Sequence, residues 1–203
     1  TVVYLLRENR PIGAIGLADI VRPESRQAIS RLKAMGIQCM MLTGDNRAVA
    51  KAVADELGLD DYFAEVLPGQ KADRIREIRS RGLTVAMVGD GVNDAPALVE
   101  SDLGIAVGAG TNVAIESADV VLVRSNPQDV AAILWLSRAT YSKMVQNLLW
   151  ATGYNAIAIP LAAGLTANIG FLMSPALGAA FMSASTVIVA INAQLLSRTR
   201  IGR

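Results

Sequence analysis

The segment from Met87 to Leu98, with the sequence MVGDGVNDAPAL, concentrates oxygen-bearing side chains around a glycine turn that opens a helix. Two carboxylates, Asp90 and Asp94, and one amide, Asn93, stand close together in it. Such hard oxygen donors suit Mg²⁺, which prefers carboxylates, waters and phosphate oxygens. The simpler interpretation is a polar loop that caps the helix. We favour a metal site for the segment as a whole, because residues suited to phosphate lie elsewhere in the chain.

Those residues are Thr43, Gly44 and Asp45, in the sequence TGD, and Lys71, which follows Pro68, Gly69 and Gln70. Phosphoryl transfer depends on neutralising charge and on positioning the reacting groups. A hydroxyl and an ammonium can hold the equatorial phosphoryl oxygens while Asp90 fixes the metal. Taken alone, Lys71 would be a solvated surface lysine. In company with the other residues, it indicates a phosphoryl-transfer site.

The elements that must position these residues alternate in type. Two apolar runs separated by turn residues, Val2 to Arg7 and Ile12 to Leu17, predict a hairpin. Beyond Pro23 the pattern predicts helices over 24–35, after 43–45 up to 57, over 70–80, 93–100 and near 112–117, and strands over 38–42, 83–88, 103–107 and 120–123.

This alternation predicts an α/β fold, a doubly wound parallel sheet with helices on both faces. In such folds ligands bind beyond the carboxyl ends of the strands. Asp45 and Asp90 each follow a predicted strand and a glycine that lets the backbone turn sharply. The sequence therefore places both aspartates at one functional edge.

Charge divides the chain into two parts. No charged residue lies between Met144 and Ser197, whereas Arg198, Arg200 and Arg203 close the sequence. A bilayer core of about 30 Å needs roughly 20 helical residues. The uncharged stretch thus predicts two membrane spans, 144–164 and 174–196, after a helix over 127–145. Because Lys143 and the terminal arginines flank the outer ends of the two spans, the positive-inside rule places these ends in the cytoplasm and the loop between the spans outside.

Composition excludes several kinds of function. The net charge is +1 and no basic stripe with aromatics is present, which argues against nucleic-acid binding. The sequence has no histidine, so imidazole takes no part in any site. The single cysteine, Cys39, cannot form an internal disulfide and is expected to be a core thiol in a reducing compartment.

The motifs together carry a family resemblance. TGD at 43–45, the pattern of Pro68 followed by Lys71, GDGVNDAPAL at 89–98 and DIVRPE at 19–24 resemble the phosphorylation domain of P-type cation-transport ATPases. The resemblance implies a haloacid-dehalogenase-like fold, ATP as substrate and Mg²⁺ on Asp90, supported by Asn93 and Asp94. It also implies phosphate contacts from Thr43, Gly44 and Lys71. Export is the transport direction that the family implies.

The family's nucleophile is an aspartate in a DKTGT motif, and this sequence has none. The chain by itself is therefore expected to be inactive. Its partners would be the remaining domains of the same transporter: the actuator domain, the nucleotide-binding domain and the earlier transmembrane helices. Two alternatives stay open, a membrane-anchored phosphatase of the haloacid-dehalogenase type and a non-catalytic fragment.

Polar residues near the middle of the predicted spans suggest the transported ion. Their positions are Tyr154, Asn155, Met182, Ser185 and Thr186. A thioether beside hydroxyls, with no carboxylate or lysine in either span, favours a soft ion such as copper. Helix packing by the same residues is the other interpretation. YN at 154–155 and MSAST at 182–186 resemble the copper-transporting branches of the heavy-metal subfamily, whereas the zinc and cadmium branches place a lysine and an aspartate there.

The resemblance implies four regions. Residues 1–18 would end the nucleotide-binding domain, 19–126 form the C-terminal part of the phosphorylation domain, 127–143 a stalk helix, and 144–203 the last two transmembrane helices with a cytoplasmic tail. We expect an integral protein of the plasma membrane, set in a lipid bilayer, with its soluble part in the cytoplasm.

Overall fold

The computed structural model describes residues 2–16, 20–90, 92–108, 116–165, 167–170 and 174–198. The chain divides into two compact units, Thr1–Ala131 and Ala132–Arg203. In the first unit, β1 (Val2–Arg7) and β2 (Arg10–Gly16) form the predicted antiparallel hairpin. Glu8 and Asn9 make its turn with φ of 48° and 65°, which are the left-handed values of a type I′ turn.

The remainder of the first unit alternates helices with short strands. The elements are α1 (Pro23–Ala34), β3 (Met40–Leu42), α2 (Arg47–Leu57), β4 (Asp61–Phe63), α3 (Lys71–Ser80), β5 (Ala86–Gly89), α4 (Ala95–Glu100), β6 (Leu103–Val107) and β7 (Val120–Leu122). Strand β4 was not among the predicted elements. The predicted helix near 112–117 lies mostly outside the described residues.

Local signals explain where these helices begin and end. The side chain of Asn46 caps α2 by accepting a hydrogen bond from the backbone N–H of Val49, at 3.0 Å. Gly58 ends the same helix with φ of 67°, a conformation that glycine adopts without strain. Pro23 begins α1, where its missing N–H costs no helical hydrogen bond.

The parallel strands form two sheets. One pairs β3 with β4, and the other has the order β5-β6-β7. No ladder joins β3 to β5 among the described residues, so the doubly wound sheet is present in two parts.

One core serves both sheets. It contains Ile75 of α3, Met87 of β5 and Leu98 of α4, and Leu42 of β3 packs against it. Full burial of a side chain such as Ile75 or Leu98 contributes about 1.5 to 3 kcal/mol. This core therefore holds the ends of β3 and β5 close to α3 and α4, the elements that carry the predicted site.

Two long helices form most of the second unit. The first, α5, runs over Pro127–Ala162 without a break at the predicted boundary near residue 143, and the second is α6 (Pro175–Gln194). Ser174 caps α6 by accepting from the N–H of Leu177 at 3.3 Å.

Within the described chain, one helix is long and apolar enough to cross a membrane: residues Ala176–Gln194, with mean hydropathy 1.7. It matches the predicted span 174–196. The part of α5 beyond Lys143 also contains Gln146, Asn147 and Asn155, whose amides lower its hydropathy. The predicted span 144–164 stays a prediction.

Candidate functional site

The loop after β3 holds Thr43, Gly44 and Asp45 in a closed turn. The Thr43 hydroxyl donates to Oδ2 of Asp45 at 2.7 Å and accepts from the Asp45 N–H at 3.1 Å. The backbone N–H groups of Glu65 and Val66 donate to the carbonyls of Asp45 and Thr43, at 2.9 and 3.0 Å. These bonds tie the loop to the segment after β4, and they leave the Asp45 side chain exposed.

A second loop follows β5. Asp90 and Asn93 are exposed in it, and a short 3₁₀ turn, Val92–Asp94, leads into α4. Asp94 differs from both, since only 8% of its surface is exposed. Its Oδ1 accepts a hydrogen bond from Nζ of Lys71 at 2.6 Å. This charge-assisted bond joins two residues that the sequence had singled out for separate roles.

Gly89 makes room for this pair. A Cβ placed on Gly89 would lie 2.6 Å from Cβ of Asp94 and 2.9 Å from its Oδ2. Real carbon atoms do not approach so closely, so the Asp94 side chain occupies the space that a larger residue at position 89 would need. The sequence predicts only a turn at Gly89, and its contact with Asp94 is a finding of the structure. The sequence feature that could have indicated the contact is the close succession of glycines and aspartates in GDGVND at 89–94.

Helix α3 carries Lys71 as its first residue, directly after the 3₁₀ turn Pro68–Gln70. Arg79 fixes the other end of α3, because it donates to Oδ1 of Asp102 and to the carbonyl of Glu100, both at 2.7 Å. Oδ2 of Asp102 accepts from the N–H of Val85 at 2.9 Å. The Val85 N–H, and then Arg79, lower the pKa of Asp102 below its ordinary value of 3.8.

Of the oxygen donors in the loop after β5, those of Asp90 and Asn93 are open to Mg²⁺, whereas one oxygen of Asp94 is not. Mg²⁺ typically binds through one or two carboxylates, with waters and substrate phosphates completing its shell. Asp90 and Asn93 offer exposed oxygens, whereas Oδ1 of Asp94 is held by Lys71. The described residues contain no group of three or more carboxylates and thiols that would form a closed metal site. The assignment of Mg²⁺ to Asp90 and Asp94 stays a prediction, and Asp90 fits it better.

The residues predicted to bind copper lie on both helices of the second unit. Tyr154 donates from its hydroxyl to the carbonyl of Gly178 at 3.2 Å, and Thr186 to the carbonyl of Met182 at 3.0 Å. Asn155 is exposed, as is 63% of Met182, and Ser185 is half-buried.

A cavity of 830 Å³ lies between α5 and α6. Tyr154 lines it together with Trp150, Phe181 and Asn192, but the other four predicted ligands are not among its lining residues. The convergence of all five residues on one copper site therefore stays a prediction.

Comparison with known proteins agrees with the motif resemblance. Residues 1–102, which include TGD and GDGVNDAPAL, match the family model described as haloacid dehalogenase-like hydrolase. A copper-exporting P-type ATPase B of Archaeoglobus fulgidus is 69% identical over 97% of this chain, and a probable copper-transporting P-type ATPase B of Staphylococcus aureus is 52% identical over 95%. The structure of a zinc-transporting PIB-type ATPase in its E2·Pi state has a TM-score of 0.81 and 36% identity over 96% of this chain.

The chain spans less than a third of each of these proteins. It covers 28% of the Archaeoglobus protein, 29% of the Staphylococcus protein and 31% of the zinc-transporting ATPase.

Proposed function

Because this chain belongs to the haloacid dehalogenase-like hydrolase family, we propose that it is one part of an ATP-driven copper transporter, a P-type ATPase that works through an aspartyl-phosphate intermediate. The observation that carries the proposal is the 69% identity to the copper-exporting ATPase of Archaeoglobus over 97% of the chain. The pair of Lys71 and Asp94 supports it, because it places a cation and a carboxylate beside the end of β5.

The remaining domains of the transporter supply what this chain lacks. The nucleophilic aspartate has no counterpart here, and β3 and β5 are each paired on one side only among the described residues. Both strands border one core through Leu42 and Met87. We propose that the segment with the nucleophile packs at the unpaired edges of β3 and β5. The transporter is completed by the actuator domain, the nucleotide-binding domain and the earlier membrane helices.

Each polar residue of the two loops then has a role. Asp90 would hold Mg²⁺, which neutralises phosphoryl charge when bound, and Asn93 would orient the neighbouring oxygens. Lys71 brings a positive charge to the phosphoryl group, and Asp94 fixes its position. Thr43 and Gly44 contact phosphate oxygens, while Asp45 orients the Thr43 hydroxyl through their hydrogen bond.

Copper is the proposed cargo. The segment 144–197 has no lysine, arginine or carboxylate, and a thioether such as that of Met182 favours a soft ion over a hard one. We propose that Tyr154, Asn155, Met182 and Ser185 or Thr186 contribute to its site together with ligands from the absent helices. The two helices would lie in the lipid bilayer of the plasma membrane, with the first unit and the C-terminus in the cytoplasm.

The full-length transporter tests the enzymatic part of this proposal. We expect copper to stimulate formation of an acid-stable phosphoenzyme from ATP, and Asp90→Asn to reduce its level strongly at limiting Mg²⁺, because the amide keeps the shape but removes the charge. Unchanged phosphorylation at limiting Mg²⁺ would exclude Asp90 as the metal ligand. Stimulation by zinc but not by copper would exclude copper as the cargo.

The ligand role of Met182 needs its own comparison. Met182→Leu should abolish copper-stimulated phosphorylation from ATP while phosphorylation from inorganic phosphate, which needs no copper, is retained. Met144→Leu is the matched control, since Met144 lies on α5 outside the predicted site and is 56% exposed. If both variants keep full copper stimulation, Met182 serves packing, where a change from methionine to leucine costs under about 1.5 kcal/mol.

A further inference from the structure

Lys143 of α5 forms hydrogen bonds to amide side chains of both helices of the second unit. Its Nζ donates to Oδ1 of Asn192 at 2.8 Å and, over a longer distance of 3.4 Å, to Oε1 of Gln146. Asn192 in turn donates to Oδ1 of Asn147 at 2.8 Å. The Lys143 side chain is half-buried. Its described partners are therefore neutral amides, although an ammonium group removed from water gains most from a negative charge.

The second half of the chain offers no such charge. Asp129 is the last acidic residue of the sequence, and no aspartate or glutamate occurs from Val130 to Arg203. The same stretch contains Arg138, Lys143 and the three terminal arginines. No acidic side chain of residues 130–203 can therefore act as a counter-ion to Lys143.

The position of Lys143 along the helix axis, relative to the apolar segment of α6, indicates which kind of anion its ammonium group would meet. Asn192 lies two residues before the end of the apolar segment Ala176–Gln194, which is about 3 Å along a helix. Lys143, in contact with Asn192, thus lies level with the border of the apolar segment. Tyr141, two residues before Lys143 and thus about 3 Å away along α5, is 64% exposed, and such aromatic residues mark the interface between a membrane and water.

We propose that Lys143 binds the phosphate of an anionic phospholipid at this border, in a site formed with Asn192 and Gln146. An ammonium has three N–H donors, and the described contacts use two of them, so one remains for a phosphate oxygen. The sequence that follows α6 contains three arginines, and positive charge that follows a membrane-spanning helix attracts anionic lipid. The inference rests on the proposed membrane insertion, but it concerns a ligand other than ATP, Mg²⁺ or copper.

The test uses the full-length transporter in nanodiscs of phosphatidylcholine alone or mixed with phosphatidylglycerol, with retained lipids counted by native mass spectrometry. The wild type should retain one more phosphatidylglycerol than Lys143→Gln, and Lys143→Arg should retain it. Lys51→Gln is the control for loss of a lysine, because Lys51 is exposed on α2, and it should match the wild type. An equal count in Lys143→Gln and the wild type would overturn the proposal.

A second variant supplies the missing charge instead of removing the lysine. Asn192→Asp puts a carboxylate beside the ammonium with little change of shape, so it should displace the bound phosphatidylglycerol as Lys143→Gln does. Full retention by Asn192→Asp would overturn the proposal even if Lys143→Gln failed to fold.

Two further measurements distinguish a lipid site from a site for free phosphate, and the lipid site from the proposed transport function. Inorganic phosphate is added to the wild type in the mixed nanodiscs: unchanged phosphatidylglycerol retention supports a lipid site, whereas displacement by phosphate would assign the site to the free ion. Copper-stimulated ATPase activity in the mixed nanodiscs, where phosphatidylglycerol is present, tests the proposed function by itself. Its absence, together with a Lys143-dependent lipid count, would refute copper transport and leave the lipid site standing.

Discussion

Gly89 is a position in the candidate site that has no room for a side chain. An added methyl group would lie 2.6 Å from Cβ of Asp94, so Asp94 must move and its bond to Lys71 must lengthen. We expect Gly89→Ala to destabilise the full-length protein by about 1 to 3 kcal/mol and to lower phosphoenzyme formation. Denaturant unfolding and phosphorylation from ATP measure the two effects.

Gly69→Ala is the matched control for this change. Gly69 precedes Lys71 in the same region, but nothing lies within 4 Å of a Cβ added to it. We expect it to keep wild-type stability and phosphorylation. Equal losses in the two variants would show that glycine flexibility, and not the space taken by Asp94, matters at position 89.

The pair of Lys71 and Asp94 gives a second prediction for single residues. Their side chains are 18% and 12% exposed, so Asp94→Asn leaves a largely buried ammonium without its carboxylate. A cost of about 3 kcal/mol in the free energy of unfolding is expected, since removing one partner of a buried ion pair is strongly destabilising. Asp55→Asn is the comparison, because the pair of Asp55 with Lys51 lies on the surface of α2 and should contribute little. Similar losses in both variants would contradict this account.

The sequence alone predicted which residues of the site are polar, but not how they pair. Lys71 and Asp94 are 23 positions apart and lie on different elements, so no local pattern links them. The assignment of Asp94 to Mg²⁺ together with Asp90 stays a prediction, and the structure adds the bond of its Oδ1 to Lys71. The link between Thr43 and Asp45 is local, and the spacing of TGD was enough to place both residues in one turn.

At the scale of elements, Asp102 joins the backbone directly before β5 to the end of α3, because it accepts hydrogen bonds from the Val85 N–H and from Arg79. The lowered pKa of Asp102, caused first by the Val85 N–H and then by Arg79, means that its carboxylate stabilises the folded state at pH values above 3.8. That stabilisation is lost as pH falls through the lower pKa of the folded state. Asp102→Asn lacks it at every pH.

We therefore expect the difference in Tm between the wild type and Asp102→Asn to be largest near neutral pH and to shrink on acidification below 3.8. Thermal unfolding of the full-length protein across this range measures it. A difference that stays constant down to the lowest pH would show that the shape of the side chain, and not its charge, stabilises the contact.

Element prediction succeeded where caps and periodicity were strong. Helix α2 ends at Leu57 as predicted, and β6 has the predicted limits. Strand β4 was missed because Asp61–Phe63 is too short to show an alternating pattern. Helix α5 continues past Lys143 because no glycine or proline interrupts it there, and Pro160 lies close to its end.

For the whole molecule, the missing nucleophile gives a prediction that needs no mutation. The chain by itself should form no acid-stable phosphoenzyme with ATP, because the aspartate that would be phosphorylated is absent from its sequence. Acid-gel analysis with radiolabelled ATP measures this, with the full-length transporter as the positive control. A hydroxylamine-sensitive band from the isolated chain would refute it.

The hairpin of β1 and β2 has a consequence for the solubility of the isolated chain. Its large apolar residues are 58 to 64% exposed: Tyr4, Leu5, Leu6, Ile12 and Ile15. Among the described residues each strand also pairs only with the other, so both outer edges can hydrogen-bond to further strands. Exposed apolar edges of this kind template aggregation. Copies of the isolated chain should therefore associate edge to edge through this hairpin, as neighbouring strands do in a growing fibril.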